Sequence, residues 1–182
     1  MSDGATGRPL WVPFVALATT IAVADQVTKA WLVSFLAPGQ STSVIGDLVR
    51  LVHAQNSGGL FGLLRGYAVP FALLSLGAIA AIVVFHGKSG RSPLMTVALG
   101  LLLGGAIGNL IDRLRLEYVV DFVDMGIGTI RWYTFNVADL AISTSIALLL
   151  AMSVWPWIAE RIGRGAGPER DGRRDDPAAE HG

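Results

Sequence analysis

The chain has 182 residues, enough for one domain of ordinary size and too few for two. It is 52% hydrophobic and only 15% charged, and fourteen Lys and Arg balance fourteen Asp and Glu, so no net field recruits nucleic acid. There is no cysteine, which excludes disulfides, thiolate metal sites and a cysteine nucleophile, and long apolar runs with a mean hydropathy of +0.54 indicate an integral membrane protein.

In chain order, the first span is expected from Leu10 to Leu36, apolar through Ala24 and carrying Asp25 and Lys29 in its second half. Ala22-Val23-Ala24 resembles a signal-peptide cleavage site. The preceding segment carries Arg8 with Asp3 opposing it, and apolar character resumes after Asp25, so the span is read as retained. Ser43 to His53 is rich in Val, Ile and Leu and reads as extended chain. Gly58, Gly59 and Gly62 permit a mobile loop before the second span, which starts near Tyr67 and runs to about His86. A short basic loop with Lys88 and Arg91 leads into the third span, about 93–113, where Gly104 and Gly108 form a small-xxx-small pair for close helix contact. Val119 to Val123 and Thr129 to Phe135 read as further extended segments, with a turn at Gly126-Ile127-Gly128. The fourth span is expected over about 136–158, closing a single membrane-embedded domain of residues 1–160. The Gly-, Arg- and Asp-rich stretch 161–182 reads as a disordered cytoplasmic tail.

The expected fold is therefore an all-α membrane protein, a four-helix transmembrane bundle with a small extracytoplasmic β cap. Arg8, the Lys88/Arg91 loop and Arg161/Arg164 all fall on one side of four spans, and their charge makes that side cytoplasmic, with both termini there. At about 1.5 Å per residue, Asp25 lies roughly 22 Å along the first span, and Asn109, Asp112 and Arg113 lie about 24–30 Å along the third. Asn136 and Asp139 open the fourth span, and Asn56 and Asp121 lie in the outer loops. These costly polar groups thus converge on the outer membrane face. Asn109, Asp112 and Arg113 share a helix face, and Asp25 and Lys29 are an i, i+4 pair able to neutralise each other.

The three histidines are too dispersed for a metal site, and no nucleophile elbow, phosphate loop or zinc-protease motif is present. Carboxylates are the remaining candidates: two close together could share a proton while the ionised member activates water. Read without any relative, Asp139 could equally be a helix-start carboxylate and Asp121 a solvated loop residue like Asp124.

Five motifs in order, DQVTK at 25–29, NSGGLFG at 56–62, GGAIGNLIDR at 104–113, VVDF at 119–122 and FNVAD at 135–139, resemble lipoprotein signal peptidase, or signal peptidase II. The resemblance covers about Trp11 to Trp157 and implies an aspartic endopeptidase of the bacterial inner membrane. Such an enzyme removes the signal peptide from diacylglyceryl-modified prolipoproteins by cleaving just before the lipidated cysteine. It implies Asp121 and Asp139 as the catalytic pair, and Asp25, Lys29, Asn56, Asn109, Arg113 and Asn136 as site-shaping or substrate-binding positions. Asp112 is expected to be structural, ion-paired with Arg113 at the helix end. No cofactor or metal is expected, the partners are the prolipoprotein and membrane lipid, and a monomer is expected. Leu60 departs from the family, where alanine often precedes the phenylalanine. The competing function, a small proton-coupled transporter, would require polar residues at several depths. Away from the outer face, spans two and four offer only Ser75, Ser143, Thr144, Ser145 and Ser153.

Overall fold

The computed structural model of the chain describes residues 8–58 and 68–156. Leu60, Gly59, Gly62, Tyr67 and the tail 161–182 lie outside the described residues. Four helices are long and apolar enough to cross a membrane: α1 (Trp11–Val33), α2 (Ala68–Ser89), α3 (Pro93–Leu116) and α4 (Val137–Val154). The chain is a multi-pass membrane protein.

Burial along α1 follows Phe14, Ala18, Ala22, Asp25, Lys29 and Leu32, steps of three and four that form one stripe. The exposed face is apolar too, with Val12, Val15, Val23 and Val27 turned outward, as a lipid-facing helix requires. α3 is the centre of the bundle and packs on the other three helices. Glycine permits this closeness. A Cβ on Gly104 would stand 2.7 Å from the Ala18 carbonyl oxygen of α1, and one on Gly105 would stand 2.5 Å from the Ala138 carbonyl oxygen of α4. Far from the sheet, His86 is buried and stacks on Phe14 at 3.8 Å, while Thr96 and Ser145 donate to the Gly90 and Ala98 carbonyls. These buried polar groups are local to helix contacts and trace no path through the bundle.

One antiparallel sheet of order β1-β2-β3-β4 is built from β1 (Ser41–Ile45), β2 (Val49–Asn56), β3 (Val119–Ile127) and β4 (Ile130–Arg131). The extended stretch 43–53 holds parts of two strands, a hairpin that turns at Gly46-Asp47-Leu48, where Gly46 adopts a φ of +49°. Gly126 and Ile127 stay in β3, paired to Arg131 and Ile130, so the turn falls at Gly128-Thr129. Leu51 pairs Val123 and Ala54 pairs Asp121, leaving Val52 and His53 opposite Phe122 alone: a β-bulge beside Asp121. The displaced Phe122 N–H donates to the Phe135 carbonyl at 3.0 Å. A second core of Leu32, Leu36, Val120 and Phe122 seats the sheet on the end of the bundle where α1 and α3 finish and α4 begins.

Candidate active site

The first turn of α4 is fixed by its own sequence. Asn136 is the N-cap, its Oδ1 accepting the Asp139 N–H at 2.9 Å, and Asp139 Oδ2 accepts the Asn136 N–H at 3.2 Å. This reciprocal box satisfies two otherwise orphaned donors and locks the Asp139 carboxylate over the helix N-terminus, where the dipole favours negative charge. Its other oxygen accepts from Asn109 Nδ2 at 2.8 Å.

Asp121 reaches the same place from β3. Asn136 Nδ2 donates to its Oδ1 at 2.7 Å and Asn56 Nδ2 to its Oδ2 at 3.0 Å. Every oxygen of the two aspartates therefore accepts from an amide, and Asn136 bridges them. The amide of Asn109 is oriented by its neighbours: Oδ1 faces Lys29 Nζ and Asn136 Nδ2, both at 3.2 Å, so Nδ2 must point at Asp139.

Behind this pair lies a charged frame. Lys29 Nζ meets Asp25 Oδ2 at 2.7 Å and Asp112 Oδ2 at 2.9 Å, and all three side chains are buried. With Asn109 as third partner, its three donors are used. Asp25 Oδ1 accepts the Ala138 N–H at 2.9 Å, and Asp112 Oδ2 accepts the Val120 N–H at 3.0 Å. Each carboxylate of the frame thus anchors the backbone one residue before Asp139 or Asp121. A Cβ on Gly108 would stand 2.6 Å from Asp25 Oδ2, so only glycine there lets the carboxylate through.

Arg113 donates to the Asn109 carbonyl at 3.2 Å and lies over the Phe71 ring at 5.8 Å, within the electrostatic reach of both Asp139 and Asp121. The expected Asp112–Arg113 pairing gives way to Asp112–Lys29, because Asp112 turns inward toward α1. Burial first, and the Asp139 charge second, push the Asp121 carboxyl up to about 7, against the pull of Asn56, Asn136 and Lys29. Asp124, three residues on, is the opposite case. Burial would raise its carboxyl, but Arg131 and Arg50 outweigh that and hold it below the ordinary carboxylate value. Neither aspartate is the solvated loop residue that sequence alone allows.

A model of the signal peptidase (SPase) II family matches residues 17–155. The chain belongs to the signal peptidase II family. The lipoprotein signal peptidase of Syntrophomonas wolfei is 39% identical over 132 residues, 72% of this chain and 86% of that one. The lipoprotein signal peptidase of Mycolicibacterium smegmatis is 35% identical over 171 residues, 91% of this chain and 69% of that one. A bacterial membrane enzyme solved by the in meso method superimposes with a TM-score of 0.74 at 27% identity, covering 89% of this chain and 96% of that one. Family membership makes this chain a peptidase and removes the transporter reading.

The structure brings Asp25, Lys29, Asn56, Asn109, Asp121, Asn136 and Asp139 into one hydrogen-bonded network, with Arg113 at its edge. Sequence reasoning passed over Gln26, whose Nε2 donates to Asp112 Oδ1 at 2.9 Å and to the Gly108 carbonyl at 3.2 Å. The only signal for it was its place beside Asp25 in an otherwise apolar span. Among the described residues, no group of three His, Asp or Glu is arranged to hold a metal ion.

Proposed function

We propose that the chain is an aspartic endopeptidase with Asp121 and Asp139 as its catalytic pair, and that it cleaves diacylglyceryl-modified prolipoproteins just before the lipidated cysteine. The observation that carries this reading is the shared mooring of the two carboxylates on Asn136, one from a strand and one from a helix N-terminus. Their donors differ: two side-chain amides hold Asp121, while a backbone N–H and one side-chain amide hold Asp139. Asp139 holds a backbone N–H at the positive end of α4 and serves as the ionised member. Asp121, on a strand with no such dipole and with its carboxyl pushed up to about 7, holds the proton.

Asp139 takes a proton from water as the oxygen attacks the scissile carbonyl carbon, and Asp121 gives its proton to the carbonyl oxygen. The resulting diol collapses: Asp139 passes its proton to the leaving nitrogen as the C–N bond breaks, and Asp121 recovers one from the diol. No acyl-enzyme forms. Arg113, beside both carboxylates, adds positive potential for the charge that develops on the oxygen.

In this reading the sheet lies on the extracytoplasmic side and both termini are cytoplasmic. Arg8 and the Lys88/Arg91 turn, at the end of the bundle opposite the sheet, support that orientation. A lipid anchor then holds the scissile bond at the interface where the carboxylates lie. The test is cleavage of a purified diacylglyceryl-modified prolipoprotein, with unmodified precursor as control. Wild type should cut only the lipidated form, and Asp121→Asn and Asp139→Asn should each lose cleavage while still unfolding in a cooperative thermal transition. Turnover by either variant would remove that residue from the pair.

A further inference from the structure

The sheet ends in two turns held side by side. The Gly126 N–H donates to the Leu48 carbonyl at 3.0 Å, and the Gly128 N–H donates to Asp47 Oδ2 at 2.7 Å. Between these turns and the linker to α4 opens a groove of about 690 Å³, lined by Leu48, Met125, Ile127, Ile130, Trp132 and Phe135, with Arg131 at its wall. Ile127 is 75% exposed, Ile130 82% and Trp132 71%. A contiguous apolar patch of this kind marks an interaction surface.

The chain itself says what covers it. α4 is a membrane-crossing helix that starts at Val137, and five residues, Trp132 to Asn136, separate it from β4. At up to about 3.6 Å per residue they span at most ~18 Å, so the turns stay close to the bilayer surface where α4 enters. The groove therefore lies close to the level at which α4 enters the bilayer, and Trp132 and Tyr133 on the linker are residue types that favour that boundary.

Charge would oppose such an approach, and here it is cancelled. Arg50 Nη2 lies 2.7 Å from Asp124, Arg131 Nε 2.9 Å from Asp124, Arg131 Nη1 3.2 Å from Asp47 and Arg50 Nη1 3.6 Å from Asp47. Two arginines and two aspartates close a ring of no net charge directly behind the apolar tip. Each guanidinium thus meets the low-dielectric boundary already neutralised.

We propose that the paired turns are a lipid-docking tip: they dip into the headgroup–acyl boundary of the leaflet that α4 enters, an acyl chain of a bilayer phospholipid fills the groove, and the four-charge ring makes that immersion possible. Docking holds β3, and Asp121 with it, at a fixed height above the membrane. The inference rests on the membrane-spanning helices and not on the peptidase chemistry, so its failure and the failure of that chemistry are distinguishable.

The absence of cysteine makes the test direct. Single variants Ile127→Cys and Ile130→Cys, with Lys88→Cys as the aqueous reference, are spin-labelled and reconstituted in phosphatidylcholine/phosphatidylglycerol vesicles. Relaxation by oxygen is compared with relaxation by a water-soluble nickel chelate. Labels at 127 and 130 should respond several-fold more to oxygen than to nickel, and the label at 88 should do the reverse. Nickel access at 127 and 130 equal to that at 88 overturns the proposal. Protection from both reagents would mean a protein segment covers the groove, and broadening that grows with protein-to-lipid ratio would mean a second copy does; either outcome also overturns it. Adding Asp47→Asn to the label at 130 leaves Arg131 partly uncompensated and should raise nickel access several-fold. Unchanged access would overturn the part assigned to the ring.

Discussion

Asn136 joins three elements, α3, β3 and α4, with one side chain. Its oxygen caps α4, while its Nδ2 group faces Asp121, Asn109 and the Val120 carbonyl. Losing an N-cap typically costs about 0.5–2 kcal/mol, so Asn136→Ala should lower the melting temperature and also free Asp121 Oδ1, abolishing cleavage, while the Asp139 carboxylate keeps its backbone and Asn109 donors. Asn56 is a cleaner probe because its hydrogen bond touches only one carboxylate of the pair and lowers the proton affinity of Asp121. In Asn56→Ala that carboxyl should rise further, and the alkaline limb of kcat/KM, where the shared proton is lost, should move to higher pH. A limb that stays put or moves down would separate Asp121 from the proton. The two β3 carboxylates also set opposite stability trends. Asp121, raised to about 7 from 3.8, favours the folded state fully below about pH 4, and that contribution is lost as pH climbs through 7. Asp124, held below 3.8, contributes above that value and loses its contribution as pH falls through its own lower value. Melting curves from pH 4 to 7 should therefore flatten in Asp121→Asn and keep their slope in Asp124→Asn.

At the scale of elements, the glycines of α3 set how closely its neighbours approach, beside a core of Phe14, Ile82, Leu99 and Leu103. Gly104 admits α1, Gly105 admits α4 and Gly108 admits the Asp25 carboxylate. Overpacking of this kind costs about 1–3 kcal/mol. Gly108→Ala should destabilise by about that amount and disturb cleavage as well, because its new methyl displaces the group that anchors Ala138. Gly77→Ala on α2 is the control: a Cβ there meets nothing within 4 Å. Thermal unfolding in one detergent, with cleavage alongside, checks both. Equal melting temperatures for the two variants would refute close contact at Gly108. The sheet works by a comparable local device, since the bulge at Val52-His53 releases Phe122 to Phe135 and so ties β3 to the residue that leads into α4.

Across the whole molecule, Lys29 is the point where α1, α3, β3 and α4 meet. Asp25 reaches the α4 backbone, Asp112 reaches the β3 backbone, and Lys29 holds both. Removing one member of a buried ionic group leaves charge uncompensated, at a cost of about 3–5 kcal/mol. Lys29→Met should therefore be among the most destabilising single changes in the chain, although it adds no volume and the side chain touches neither Asp121 nor Asp139. Chemical or thermal unfolding in detergent measures this. A loss under about 1 kcal/mol would show that the two carboxylates find protons or other partners without it.

Length and composition alone were enough to count the four membrane helices, because a hydrocarbon core demands about 20 apolar residues per crossing. Local spacing was enough to pair Asp25 with Lys29, to put Asn109 and Arg113 on one helix face and to place Asn136 and Asp139 in a first helical turn. Those are relations within one helix, where three or four residues fix the geometry. Asp112 shows where that reasoning stops: its sequence neighbour Arg113 looked like its partner, yet Lys29, 83 positions earlier, takes it. The hairpin at Gly46, the bulge opposite Phe122 and the ring of Arg50, Asp124, Arg131 and Asp47 were equally out of reach. Each depends on which strand pairs with which and in what register, a choice made by non-local hydrogen bonds and packing. Sequence thus determined which polar residues enter the membrane region. Only the tertiary structure decided which atoms face one another, because a buried charge is stable only beside the partner that the whole fold delivers.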